Sequence, residues 1–187
     1  MNETSKMNRV RKERGYDEFF NGRGVDIGCG PDILSSEIFP GIESVLAYDT
    51  PQGDANTCSN LADNTYDFVY SSHCLEHMND PKLSLSNWLR ICKPNGHVIV
   101  AVPHEVYYEK LQWPSRYNPD HKWSFRMEMI SPLPNSIWVQ QFLSEFDKAE
   151  TLLCELFLID FDLSQFWIDQ TRQNAVCQIE FILKKKA

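Results

Sequence analysis

The run Gly24-Val25-Asp26-Ile27-Gly28-Cys29-Gly30-Pro31 constrains the fold of this chain more than any other. A short apolar segment between glycines suits a buried strand. Two glycines one residue apart at its end allow a tight turn whose backbone can approach a ligand closely. Further apolar runs follow at Ser44–Asp49, Tyr66–Ser72 and His97–Pro103. Pro31-Asp32 followed by Ile33, Leu34 and Ile38 predicts a helix, and Leu83, Leu85, Trp88, Leu89 and Cys92 predict another from Pro81 to Cys92. Strands alternating with helices indicate a doubly wound α/β fold, a mostly parallel twisted sheet with helices on both faces.

The flanking segments complete that frame. Residues 5–20 are charge-rich with loosely helical apolar spacing, and Asn21-Gly22 stops the helix they predict. Residues 136–146 read as a helix and 152–159 as a strand. The alternation in residues 175–183 predicts an antiparallel C-terminal strand with one more polar face. Between them, residues 104–135 lose periodicity and collect aromatics and prolines, which marks an insertion. A chain of 187 residues is then read as a single domain, 1–187.

Composition removes several classes of function. The net charge of −8 argues against general nucleic-acid affinity, which needs Lys and Arg to neutralise phosphates. The basic residues gather near the two ends (Arg9, Arg11, Lys12, Arg14 and Lys184 to Lys186) and read as solvated termini. The first sixteen residues have no apolar core of a secretory leader, and no run approaches a membrane span, so a cytoplasmic protein is expected. Six dispersed cysteines without a CxxC pair read as free thiols, and no metal site is expected because no pair has ligand spacing.

The dinucleotide fingerprint G-x-G-x-x-G fails on spacing: Gly28 and Gly30 would need a third glycine where Ile33 stands. The run Asp26-Ile27-Gly28-Cys29-Gly30-Pro31 instead resembles the first motif of the class I S-adenosylmethionine-dependent methyltransferases. Three further segments extend the resemblance in order: Asp49 with Gly53-Asp54-Ala55, Asn64 to His77, and Leu89 to His97. The resemblance implies a Rossmann-like methyltransferase fold with S-adenosylmethionine as cofactor and S-adenosylhomocysteine as product. It implies cofactor contacts from Asp26, Gly28, Cys29 and Gly30 in the loop. Asp49 would take the ribose hydroxyls, Asp54 and Ala55 the adenine, and Ser71, Ser72 and His77 belong to the fourth-strand motif. Asp49 and Asp54 could alternatively be turn-forming residues. Only Thr50 to Gly53 separate Asp49 from Asp54, so the helix that the family places there is expected to be missing and its third strand reduced to a few residues near Asn56.

The cofactor carries the reactive methyl, which leaves the protein to orient the acceptor and manage a proton. His121, His73 and His104 are the candidate bases, because histidine titrates near neutrality and all three fall at strand ends or in the insertion. His97 reads as structural. The insertion is expected to cover the acceptor, a small molecule or glycan methylated at oxygen or nitrogen. RNA or protein methylation is the alternative within the class, and a non-catalytic cofactor-binding partner subunit the alternative outside it. Ser71-Ser72-His73-Cys74 lacks the Asn/Asp-Pro-Pro-Tyr/Phe signature of DNA amino-methylating members.

Overall fold

The computed structural model describes residues 2–187. Helix α1 (Glu3–Glu13) is followed by a single 3₁₀ turn at Tyr16–Glu18, and then strands β1 (Gly22–Ile27), β2 (Ile42–Tyr48) and β3 (Tyr66–Ser72). Helix α2 (Pro81–Ile91) leads directly into β4 (Cys92–Pro103). Short strands β5 (Ser124–Arg126) and β6 (Ser136–Trp138) precede α3 (Val139–Ser144), and β7 (Ala149–Ile159) and β8 (Val176–Lys185) close the chain. The main sheet has the order β2-β1-β3-β4-β8-β7; β1 to β4 run parallel, and β8 is antiparallel to both β4 and β7. β5 and β6 form a separate parallel pair.

Local chemistry explains the best-defined helix. Asp80 caps α2, its carboxylate accepting the amides of Lys82 (2.9 Å) and Leu83 (3.1 Å), and Pro81 occupies the first turn, where a missing N–H costs nothing. The apolar stripe Leu85, Trp88 and Leu89 packs with Phe142 and Leu143 of α3 on the sheet face made by Val25, Ile27, Val69, Val98, Val100 and Phe181. The other face carries Phe68, Tyr70, Ile99 and Ile182 under Tyr16, Phe20 and Phe39. There α1 lies across the sheet, its Arg11 buried against Glu180 of β8 with Nη2 to Oε2 at 2.6 Å.

Several expectations need correction. The segment after β1 is not a helix: residues 32–35 are irregular and 36–38 form a turn, as Asp26 accepts the Leu34 amide at 2.8 Å and holds the chain near the strand end. Among the described residues there is no third parallel strand between β2 and β3, not even a short one at Asn56, so β2 forms the sheet edge. The N-terminal helix stops at Glu13, and α3 is only six residues because Ser136–Trp138 pairs as β6. The C-terminal strand's polar face meets no water. Gln178 and Glu180 are fully buried beneath α1 because β8 lies between β4 and β7. The basic ends are likewise not all solvated: Arg11 is fully buried, and Lys185 donates to Asn64 Oδ1 and the Cys92 carbonyl.

Candidate active site

A cleft of about 690 Å³ opens at the carboxyl ends of β1, β2 and β3, the crevice where open α/β sheets bind ligands. Gly28, Asp49, Asp54, Ala55, His73 and His77 line it, together with Thr50, Gly53, Asn56, Cys74 and Met78. A smaller recess of about 170 Å³ continues from it beneath the first turn of α1. Gly28, Cys29, Gly30, Asp32, Ser72 and His73 border that recess, and so do Glu3 and Thr4. Gly28 and His73 are common to both. One elongated site thus runs from the β2 edge to the helix.

The glycine loop is shaped for close approach. Gly28 has φ 69° and Gly30 φ 52°, left-handed values that favour glycine. A Cβ on Gly28 would sit 2.6 Å from Cys74 Cβ, so the loop passes flush against the turn after β3. Asp49, at the end of β2, accepts the Gly30 amide on Oδ2 (2.9 Å) and the Thr50 amide on Oδ1 (2.7 Å). The Thr50 hydroxyl adds a longer contact to Oδ1 (3.4 Å), and since a carboxylate offers about four acceptor positions, Asp49 keeps capacity for a further donor. Asp54 organises its own turn, accepting from Asn56 N (2.9 Å) and Asn56 Nδ2 (2.8 Å), and these bonds hold its pKa below the ordinary value. It therefore both forms a turn and lines the cleft. Ala55 is fixed by its carbonyl, which accepts Trp88 Nε1–H at 2.9 Å from α2.

Asp26 is 1% exposed, and its Oδ1 has no hydrogen-bond partner. Burial pushes its pKa up to about 7, with the Leu34 amide pulling the other way. Ser71 is structural, its hydroxyl donating to the Ile27 carbonyl at 3.0 Å. Ser72 borders the recess, and its buried hydroxyl has no hydrogen-bond partner. Burial raises the thiol pKa of half-buried Cys29 above its ordinary value.

The three candidate bases separate. His73, with φ 53°, borders both parts of the site and donates its Nε2–H to Gln178 Oε1 (3.1 Å). His121 is buried behind His77, ring centroids 4.8 Å apart, and stacks on Tyr108. Burial alone would lower its pKa, but the 2.6 Å bond to Glu109 and the charges of Glu76 and Glu109 raise it. His104 is fully buried, accepts the Val106 amide at 3.1 Å, and is pushed down to about 4 by desolvation. It does not line the cleft, because the chain turns at the end of β4 to bridge Phe125 and carries the ring inward.

The sequence pointed to neither Glu3 and Thr4 nor the buried pair Glu76 and Glu109. α1 is held over the site by Arg11 against Glu180 of β8 and by the Ser5 amide donating to Asp32 (3.0 Å), and Glu109 reaches His121 because the insertion folds back on Glu76, whose carbonyl accepts the amides of Lys122 (2.9 Å) and Trp123 (3.2 Å).

An open cleft at the strand ends, a glycine loop and an acidic residue ending β2 are the features expected of a Rossmann-like methyltransferase. The family profile described as "Methyltransferase domain" matches residues 5–133, and the chain belongs to that family. Demethylmenaquinone methyltransferase of Renibacterium salmoninarum is 45% identical over 49 residues, 26% of this chain and only a fifth (20%) of that protein's length. Solved structures share the fold. They include phosphoethanolamine N-methyltransferase 2 of Haemonchus contortus in complex with S-adenosyl-L-methionine (TM-score 0.62, 14% identity, 97% of this chain and 52% of that one). An S-adenosylmethionine-dependent methyltransferase of Archaeoglobus fulgidus is similar at TM-score 0.54 and 16% identity, covering 97% and 94%. One of Mesorhizobium loti is similar at 0.56 and 14%, covering 97% and 100%. The cofactor of this class is S-adenosylmethionine, and the Asp49 carboxylate beside the closely packed glycine loop suits its ribose hydroxyls. Among the described residues no helix is long and apolar enough to cross a membrane.

Proposed function

We propose that this chain transfers the S-methyl group of S-adenosylmethionine to oxygen or nitrogen of a small-molecule or glycan acceptor. The observation that carries the reading is the continuity of the site from Asp49 through Gly28 to Ser72, Glu3 and Thr4. Asp49, which lines the cleft, would accept the ribose hydroxyls, a charge-assisted interaction of roughly 1.5–3 kcal/mol per bond. The adenine would lie by Asp54 and Ala55. The methionine end would lie under α1, with Ser72 bordering the recess and Asp26 ordering the loop beneath it.

When bound, the cofactor supplies the electrophilic methyl; the protein's part is orientation and proton handling. His73 borders both halves of the site and is the side chain best placed to take an acceptor proton. The insertion 104–135 packs on Glu76 and Met78, whose carbonyl accepts Trp123 Nε1–H at 3.0 Å, and so would cover the acceptor beside His77. The net charge of −8 favours a small acceptor over RNA.

Titration calorimetry with S-adenosylmethionine and S-adenosylhomocysteine tests the reading. One site with micromolar affinity is expected. No heat at millimolar cofactor would overturn it. A screen of sugar and small hydroxy or amino acceptors by S-adenosylhomocysteine release then identifies the acceptor class.

A further inference from the structure

Glu76 is fully buried, yet neither of its carboxylate oxygens has a hydrogen-bond partner. Three imidazoles face Oε1 without bonding it: His73 Nδ1 at 3.7 Å, His121 Nε2 at 3.8 Å and His77 Nε2 at 3.9 Å. These spacings are too long for hydrogen bonds. An unpaired buried carboxylate is costly, so its environment demands an account.

The tautomers sharpen the problem. The Asp120 carbonyl can only accept, so the His77 Nδ1 that meets it at 3.2 Å carries the proton. Glu109 accepts from His121 Nδ1 at 2.6 Å. In their neutral forms both rings therefore present bare Nε2 lone pairs towards the same carboxylate oxygen. Gln178 donates Nε2–H to Glu180 at 2.9 Å, which turns its carbonyl oxygen to accept from His73 Nε2 and leaves His73 Nδ1 bare as well. Lone pairs converging on a carboxylate repel one another unless a ring takes up a proton or a metal cation lies between them. The outward-facing nitrogens of His77 and His121 are meanwhile held by a carbonyl and a carboxylate, the support that metal-bound histidines characteristically have.

We propose that Glu76, His77 and His121 form a binding site for a divalent transition-metal ion at the inner edge of the cofactor cleft. One ligand atom from each lies within 4.8 Å of the others. Metal bonds of about 2.0–2.1 Å in tetrahedral geometry put ligand atoms about 3.3 Å apart, so the widest ligand pair needs to close by about 1.5 Å, within reach of side-chain rotation. Two imidazoles and one carboxylate favour zinc-like ions over magnesium or calcium, which prefer all-oxygen sets. The site is invisible to cysteine spacing: His121 comes from the insertion, 44 positions after His77. Three protein ligands leave coordination positions open, and His77 lines the cleft. The ion would thus anchor an acceptor through an oxygen donor, a role that rests on the methyl-transfer reading, whereas the metal site itself does not.

The full chain, stripped with a chelator and dialysed, is titrated with Zn²⁺ by calorimetry and with Co²⁺ by absorption. One equivalent should bind with micromolar or tighter affinity. The Co²⁺ spectrum should lack the near-ultraviolet thiolate charge-transfer band that any of the six free cysteines would give. His77→Ala, at a partly exposed position chosen to spare the fold, should weaken Zn²⁺ binding at least tenfold, and Glu76→Gln should do the same with near-ultraviolet circular dichroism retained. No stoichiometric binding, a thiolate band, or unchanged affinity in His77→Ala overturns the site. Acetohydroxamate should shift the Co²⁺ spectrum, and an unchanged spectrum overturns the anchoring role. S-adenosylmethionine binding is measured separately on the stripped protein: its loss with Zn²⁺ binding intact overturns the methyl-transfer reading alone, and the converse overturns the metal site alone.

Discussion

The Arg11–Glu180 pair allows a quantitative test of how α1 is held over the cofactor recess. Both side chains are fully buried; Arg11 Nη2 and Nε donate to Glu180 at 2.6 and 3.2 Å, and Nη1 donates to the Thr4 carbonyl at 3.2 Å. The guanidinium also lies 5.1 Å above the Tyr70 ring. Burial alone would depress the Arg11 pKa, but Glu180 more than compensates. Glu180→Leu leaves a buried guanidinium without its counter-charge, a loss of about 3–5 kcal/mol. A chain of 187 residues has an unfolding entropy of about 0.39 kcal/mol/K near the midpoint, from ~2.1 cal/mol/K per residue. The expected fall in Tm is therefore about 8–13 °C, read by scanning calorimetry. The double variant Arg11→Met/Glu180→Leu removes both charges and should recover most of that loss, since apolar replacement of a whole buried pair is often neutral or better. A single-variant loss below about 3 °C, or a double variant as unstable as the sum of the singles, would refute the reasoning. S-adenosylmethionine affinity should fall in Glu180→Leu, because Glu3 and Thr4 of the loosened helix border the recess.

Gly28→Ala should weaken cofactor binding at least tenfold by calorimetry, since the residue sits at φ 69° and its Cβ would overlap Cys74. Asp49→Ala should weaken binding at least tenfold as well, with Asp49→Asn intermediate; equal affinities would remove Asp49 from the ribose contact. Asp26 gives a pH signature. Its folded pKa, about 7, lies above the ordinary 3.8, so between those values the folded state holds a proton that the unfolded state has released. Its contribution is therefore undiminished at acid pH and is lost as pH rises from about 4 to 7, by up to about 4 kcal/mol. Asp26→Asn should be flatter than the parent across that window in chemical denaturation, and parallel curves would show that the carboxyl is already ionised.

The sequence by itself determined the parallel β-strand framework, the glycine loop and the acidic end of β2. Each is written in contiguous residues whose period or turn chemistry needs no distant partner: Val25 to Gly30, Ser44 to Asp49, Tyr66 to Ser72. The family resemblance rested on the same local runs, and the match over residues 5–133 follows them. What it could not show depends on contacts between segments far apart in the chain. The apolar spacing of Ile33, Leu34 and Ile38 reads as helix, yet the Leu34 amide donates to Asp26 across the loop and the segment is irregular with one turn. Gln178 and Glu180 read as a wet face, yet the buried Arg11 of α1 lies over them, 169 positions away from Glu180. His104 and His121 look alike as residues near the site, but tertiary packing seals one behind β4 and brings the other to Glu76. The lone pairs that meet there come from β3's end and from the insertion, and only the folded chain puts them on one oxygen.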